Sequence, residues 1–313
     1  MIDVVLAVDL GGTNLRMAAV DRDGRILAVA RTSSEKEMTP GDLLNALGGL
    51  AVECGADEPD RRVIGFGVGV PANFNTEGVL THVTNLPKLT GMNLKAELAA
   101  KFGVPVVLEN DATAATIGEN WLGASKDTNN SIMLTLGTGV GGGIIINNEP
   151  YRGIDGTAGR LGHINVEPDG HPCGCGSRGC IEQYASATAI VRMAREKGLE
   201  VQTSLDVYKL ATAESEPGAI ATGSSQAAAQ DVFKTMGRYL GITLGSLINA
   251  LNPEMIVLGG GVATGLDAFI GHVNSEVDYR AFHEPAARAQ IVKGQLKDNA
   301  GILGAARSAF LTG

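Results

Sequence analysis

The sequence predicts a mixed α/β protein of two lobes, and three observations carry that prediction. Apolar runs of strand length end at glycines three times: VLAVDLGG at 5–12, MLTLGTG at 133–139 and MIVLGGG at 255–261. Helical patterns such as LKAELAAKF at 94–102 alternate with the strands. The opening strand–glycine turn–strand unit recurs, as VLAVDLGGTNLRMAAV at 5–20 and MLTLGTGVGGGIIIN at 133–147. Two α/β lobes, each opening on a glycine hairpin, predict a nucleotide clamped between them.

Taken in order, residues 2–9 read as a buried strand and 15–20 as its antiparallel partner. DRDG at 21–24 is a hairpin turn signal before a strand at 25–31. A helix is expected near 40–54, a strand at 63–71 ending at Pro71, a helix at 93–102 and a strand at 104–111. The second set starts with SIMLTLG at 131, a TGVGGG turn and the strand IIIN. Helix is expected at 184–197 and through an alanine-rich tract from about 205 to 250, with GSSQAAAQ at 223–230 a helix start capped by Ser224 or Ser225. Residues 252–263 read as strand, glycine turn and helix, 291–296 as a last strand and 299–311 as a last helix. The expected lobes are 1–112 with 298–313, the smaller, and 113–297, the larger.

A formal charge of −9 opposes general binding to nucleic acid or anionic membrane. The N-terminus carries Asp3 and Asp9 and lacks a basic region, so it reads as a strand rather than a signal peptide. No stretch approaches the roughly 20 apolar residues that span a membrane. Of four cysteines, three cluster at ligand spacing, which suits a reducing compartment; a cytoplasmic protein is expected. Cys54 is left over and reads as a small buried residue.

That cluster lies in GHINVEPDGHPCGCGSRGCIEQ at 162–183. Cys173, Cys175 and Cys180 with His163 make a complete tetrahedral donor set for zinc. With all four positions taken by protein, such a site is structural. Glu182 follows two residues after the last cysteine.

The glycine turns suit phosphates. Gly11 and Gly12 let backbone N–H groups approach phosphate oxygens, and Thr13 and Asn14 add side-chain hydrogen bonds. Asp9, at the strand end, suits Mg²⁺ held through water. Gly137, Thr138 and Gly139 offer a second cradle, and Gly259, Gly260 and Gly261 a close approach to a base or ribose. Neither a Walker loop nor a dinucleotide fingerprint is present. In LENDATAA, Asn110 and Asp111 end a strand just before a helix. An aspartate there suits two roles, helix N-cap or proton acceptor for an attacking hydroxyl.

Together DLGGTN, GVGVPAN, LENDATAA, LGTGVGGG, GTAGRLGH, CGCGSRGCIE and VLGGGV span nearly the whole chain, and with them it resembles the ROK family of sugar kinases and repressors, the bacterial glucokinase branch above all. The resemblance implies the two-lobed actin-like ATPase (ribonuclease H-like) fold with a cleft between lobes, a structural zinc, and ATP with Mg²⁺ as phosphoryl donor. It implies ATP-dependent phosphorylation of a hexose, glucose to glucose 6-phosphate, in carbohydrate metabolism, by a homodimer or homotetramer. Asp111 would take the proton of the sugar hydroxyl. Asn73, Asn85, Asn110, His163 and Glu182 would bind the sugar, His163 with one ring nitrogen on zinc. The turns at 11–14 and 137–142 would bracket the phosphates, and the turn at 259–261 the adenosine.

The chain departs from the family at Arg160, where a glutamate is usual. Arginine only donates hydrogen bonds. Arg160 can swing outward, donate to substrate oxygens and change the preferred sugar, or disable the site. Ala72 stands where glycine is common. N-acetylmannosamine or fructose as substrate, and a non-catalytic sugar sensor, remain alternatives. A repressor needs a DNA-binding helix-turn-helix ahead of a first glycine loop that here begins at residue 11.

Overall fold

The computed structural model describes residues 1–83, 85–213 and 223–312. The chain begins with β1 (Ile2–Leu10), β2 (Asn14–Asp21), β3 (Ile26–Ser33), α1 (Pro40–Glu53), β4 (Arg61–Val70), β5 (Asn73–Phe74) and β6 (Leu80–His82). It continues through α2 (Leu94–Phe102), β7 (Val106–Asn110), α3 (Asp111–Leu122), β8 (Ser131–Leu136), β9 (Val140–Ile146) and β10 (Glu149–Pro150). Then follow α4 (Glu182–Ala185), α5 (Ala187–Glu196), α6 (Ser204–Thr212) and α7 (Gly223–Leu251). Last come β11 (Met255–Gly259), α8 (Ile270–Arg280), α9 (His283–Arg288), β12 (Gln290–Lys293) and α10 (Ala300–Thr312).

These elements form two compact units. The first comprises Met1–Asn129, Gly143–Gly159 and Gln295–Gly313; the second comprises Asn130–Gly142 and Arg160–Gly294. The two main sheets have orders β3-β2-β1-β4-β7 and β10-β9-β8-β11-β12, and the division between units falls inside β9. Each sheet lists its opening hairpin and its parallel strands in the same sequence of roles. The short repeat in the sequence is therefore a repeat of topology.

In the first unit, period-two alternation along β1 sorts the core onto two faces. Leu6 and Val8 join Leu43, Leu47 and Leu50 of α1 on one face. Val5 and Ala7 join Ile302, Ala305 and Ala306 of α10 on the other. Helices start where the sequence supplies caps. Thr39 and Asp42 form a capping box at α1, and Asn93 caps α2. Two buried carboxylates pin the distant segments of this unit. Glu119 accepts backbone N–H bonds from Ala124 at 2.7 Å, Gln295 at 3.1 Å and Leu296 at 2.8 Å. Glu109 is paired with Arg152 and accepts from Ser308 at 2.9 Å.

In the second unit β8, β11 and β12 run parallel. The 29-residue α7 packs against α8, with α4, α5 and α6 also on it. Four expectations need adjusting here. The helix expected at 184–197 is two helices, because Ser186 takes an extended conformation and caps α5 through Ala189 N–H. The tract at 205–250 divides into α6 and α7, with residues 214–222 outside the described residues. Ser224 and Ser225 lie inside α7 rather than before it. The glycines at 141–143 belong to β9 rather than to a turn. A Cβ on Gly142 would stand 2.7 Å from the Leu161 side chain, so the strand needs glycine to let Leu161 in.

Candidate functional site

The parallel strands of the first unit end together. Asp9 on β1 pairs with Gly69 on β4, and Val70 pairs with Asn110 on β7. Ligands of open α/β sheets bind at such carboxyl ends. Asn110 is extended and is the N-cap of α3, its side chain accepting from Ala112 N–H at 3.2 Å. Asp111 is therefore the first residue of the helix proper, and its own Oδ1 also lies 2.8 Å from that N–H. It is exposed. Asn110 is thus the N-cap by its backbone, and the exposed Asp111 side chain shares the Ala112 N–H with it.

Asp9 is half-buried. Burial first, and then the neighbouring Asp111 carboxylate, push its pKa up to about 6 against the partial opposition of Arg16. Arg16 itself is held by the Asp298 carbonyl at 2.8 Å and Asn299 Oδ1 at 2.6 Å. A carboxylate whose proton affinity is raised by burial and by a second carboxylate beside it marks a place where a cation is welcome, and Asp9 fits the Mg²⁺ role on that ground.

The turn at Gly11–Asn14 is closed by Gly11 N–H to Asn14 O at 2.8 Å and supported by the Ser34 hydroxyl on Gly11 O at 2.8 Å. A Cβ on Gly12 would lie 2.8 Å from Asn85 Nδ2, so Gly12 and Asn85 are immediate neighbours. Asn73 opens β5, paired across to residue 82 of β6.

In the second unit the turns at Gly137–Gly139 and Gly259–Gly261 lie side by side, because Gly259 pairs with Thr135. Gly260 has φ +82, and a Cβ there would be 2.5 Å from Leu136 O. The Gly137–Gly139 turn is closed by Gly137 N–H to Gly139 O at 2.9 Å. It rests on the chain after the metal loop: Ala187 N–H donates to Gly137 O at 2.8 Å and the Thr188 hydroxyl to Thr138 O at 2.9 Å. A cavity of about 770 Å³ beside it is lined by Thr138, Thr188, Arg192, Arg195, Gln202 and Thr203 among others.

His163, Cys173, Cys175 and Cys180 converge, their donor atoms all within 4.8 Å of one another. His163 turns Nδ1 toward Cys173 Sγ at 3.7 Å, and Cys175 and Cys180 have their sulfurs 3.7 Å apart. The Ser177 N–H lowers the Cys175 pKa, whereas burial and then the neighbouring cysteines push Cys180 up to about 12. Three sulfurs and a ring nitrogen on one point are the donor set zinc takes, and a divalent cation favours the thiolates that this crowding otherwise opposes. The loop is braced from outside: Tyr239 donates to Glu167 at 3.0 Å and stacks on Tyr184 with ring centroids 4.0 Å apart. Glu182, the first residue of α4, sets Oε1 3.8 Å from Cys173 Sγ and accepts Val140 N–H on Oε2 at 3.0 Å.

Within the first unit the structure thus gathers Asp9, Gly11, Gly12, Thr13, Asn14, Asn85, Asn110 and Asp111 around one edge of the sheet. Within the second it joins Gly137, Thr138 and Gly139 to Gly259–Gly261 and, through Glu182, to the metal cluster. Arg160 is the residue before the short 3-10 turn Leu161–His163, its carbonyl accepting His163 N–H at 3.0 Å. Sequence reasoning missed Ser34, Thr188 and the cavity beside Thr138. Ser34 and Thr188 act through a single hydroxyl at large sequence separation and leave no local pattern.

A description of the ROK family matches residues 5–310. A glucokinase of Thermotoga maritima is 36% identical over 309 residues, covering 96% of both chains. One of Halalkalibacterium halodurans is 35% identical over 314 residues, covering 96% of this chain and 92% of its own. A ROK glucokinase of Streptomyces griseus, solved with glucose and AMPPNP, superposes with a TM-score of 0.77 at 31% identity over 98% and 99% of the two chains. Xylose repressors are relatives too, the Bacillus subtilis protein 31% identical over 244 residues, 77% of this chain and 60% of that one. Architecture and neighbours define the class: this is an actin-like ATPase fold. Within that class the chain belongs to the ROK family.

Proposed function

We propose that the protein transfers the γ-phosphoryl group of ATP to a hydroxyl of a hexose, glucose being the first candidate. The observation that carries the reading is the placement of Asp111 at the start of α3. Asn110 caps the helix, and Asp111 stands exposed at its first position beside the strand end that holds Asp9. The identity to glucokinases over nearly the whole chain supports it.

The chemistry follows from the residues. Asp111 accepts the proton of the sugar hydroxyl as its oxygen bonds to the γ-phosphorus and ADP leaves with the bridging oxygen. Asn73, Asn85, Asn110, Glu182 and His163 are the sugar ligands proposed by likeness to the family, the ring through Nε2, since Nδ1 faces Cys173. The turns Gly11–Asn14 and Gly137–Gly139 supply N–H groups to the phosphates. Gly259–Gly261 and the cavity beside Thr138 receive the nucleoside. Asp9 would hold Mg²⁺, which would neutralise phosphate charge. His163, Cys173, Cys175 and Cys180 would hold zinc, and the ring's tautomer and orientation would be fixed by that bond.

Arg160 decides which sugar. A guanidinium offers donors where the usual family glutamate accepts, so its partner on a substrate is an oxygen that accepts. The test is ADP release from ATP-Mg²⁺ with glucose, N-acetylmannosamine and fructose, run on the wild type and on Arg160→Glu. Turnover by the wild type on one of these sugars supports the kinase. Absence of turnover on any sugar, with activity appearing only in Arg160→Glu, sinks it in favour of a sensor.

A further inference from the structure

We infer that Glu182 is a positioning residue for the Gly137–Val140 turn, so that the metal cluster sets the nucleotide loop as well as the sugar end. The inference rests on the proposed use of a nucleotide for its consequence, and on geometry alone for its substance.

The Glu182 carboxylate has two faces in use. Oε2 accepts the Val140 N–H at 3.0 Å, and Oε1 lies 3.8 Å from Cys173 Sγ. Glycine at 139 is what allows this, since a Cβ there would collide with Oε2. Two more bonds make the contact a docked surface rather than a single touch. Ala187 N–H holds Gly137 O at 2.8 Å, and the Thr188 hydroxyl holds Thr138 O at 2.9 Å. All three donors or acceptors sit in 182–188, two to eight residues after Cys180. The Cys180 end of the metal loop is itself tied back, with Ile181 N–H on Ile164 O at 2.9 Å. A tether at Cys180 therefore fixes the register of α4, and Glu182 passes that register to residues 137–140. A charged acceptor on a backbone N–H is among the stronger hydrogen bonds, and its loss is worth about tenfold or more in an equilibrium.

The experiment is hydrogen exchange read by mass spectrometry on peptides covering 137–142 and 171–181. It uses the full chain with zinc and after chelation, as wild type, Glu182→Ala and Glu182→Gln. Chelation of the wild type should lower protection in both peptides. Glu182→Ala with zinc bound should lose about tenfold in protection at 137–142 and keep it at 171–181. Glu182→Gln, which retains an acceptor oxygen, should recover most of it. AMP-PNP affinity measured by calorimetry without sugar should weaken about tenfold in Glu182→Ala. Unchanged protection at 137–142, both in Glu182→Ala and in chelated wild type whose 171–181 peptide has opened, overturns the inference. If the alanine variant does not fold, the wild type with and without chelator decides alone. If the wild type binds no AMP-PNP, the kinase reading fails while the exchange data still decide the role of Glu182.

Discussion

The two glycine turns that open the sheets look alike in sequence and are held in different ways. The Gly11–Asn14 turn stands next to charge that Arg16 offsets only in part: Asp9, its pKa raised to about 6, with Asp111 nearby. The Gly137–Gly139 turn has its backbone bonded to Ala187 and Thr188, and the next residue, Val140, to Glu182. A repeated strand–turn–strand motif thus serves one end as an electrostatic socket and the other as a mechanically set cradle. The comparison predicts that substitutions at the first change chemistry and charge, and that those at the second change order.

The largest effect belongs to the first region. Asp111→Ala should lower kcat by about 10²–10⁴-fold with AMP-PNP affinity little altered, measured by steady-state kinetics and calorimetry. Unchanged AMP-PNP affinity beside the lost turnover separates the loss of a general base from a folding defect.

In the second region, Cys180→Ser should cost about 3 kcal/mol and lower Tm by roughly 6–12 °C in the zinc-loaded protein. Wild type treated with chelator should converge on the same Tm. Equal melting of the two loaded proteins would show that Cys180 carries no metal tether.

Asp9 gives a pH-dependent contrast. Its folded pKa lies above the value of 3.8 for an unperturbed aspartate, about 6 against 3.8. Folding is thus unaffected by this group below about pH 3.8 and is penalised as the pH rises through about 6, when a proton must leave a carboxylate the fold disfavours. Without Mg²⁺ and nucleotide, Asp9→Asn should stabilise the chain by about 2 kcal/mol at pH 8, the gain fading to nothing near pH 4 in urea titrations. The Mg²⁺ role proposed for Asp9 predicts that the same variant loses activity. A pH-independent difference would contradict the origin assigned to the strain.

The smallest expected effects come from paired glycine substitutions. Gly12→Ala presses on Asn85 and should raise the sugar KM several-fold at a stability cost of about 1 kcal/mol. Gly139→Ala presses on Glu182 and should instead weaken nucleotide binding. Identical profiles for the two would erase the distinction between the regions.

The sequence exposed features that depend on local pattern and left hidden those that depend on distant pairing. Strand runs ending in glycine located β1, β8 and β11, and the spacing of Cys173, Cys175 and Cys180 located the metal loop. The aspartate at 111 was ambiguous between cap and proton acceptor, because both roles favour the same residue at a helix start. Only the extended backbone of Asn110 and its bond to Ala112 N–H assign the cap. The break at Ser186 was obscured by helix formers on both sides. The pair of buried Glu109 with Arg152 and the bonds of Glu119 to Gln295 and Leu296 join residues 43 to 177 positions apart, and no local signal announces them.

The role proposed for Asp111 is that of proton acceptor in a phosphoryl transfer to a sugar. Phosphorus NMR of wild type and Asp111→Asn incubated with ATP, Mg²⁺ and glucose tests it most directly. The wild type should give glucose 6-phosphate and ADP in equal amounts, and the variant should form product about 100-fold or more slowly at equal nucleotide affinity. ADP with inorganic phosphate and no sugar phosphate, or a variant as fast as wild type, would contradict it.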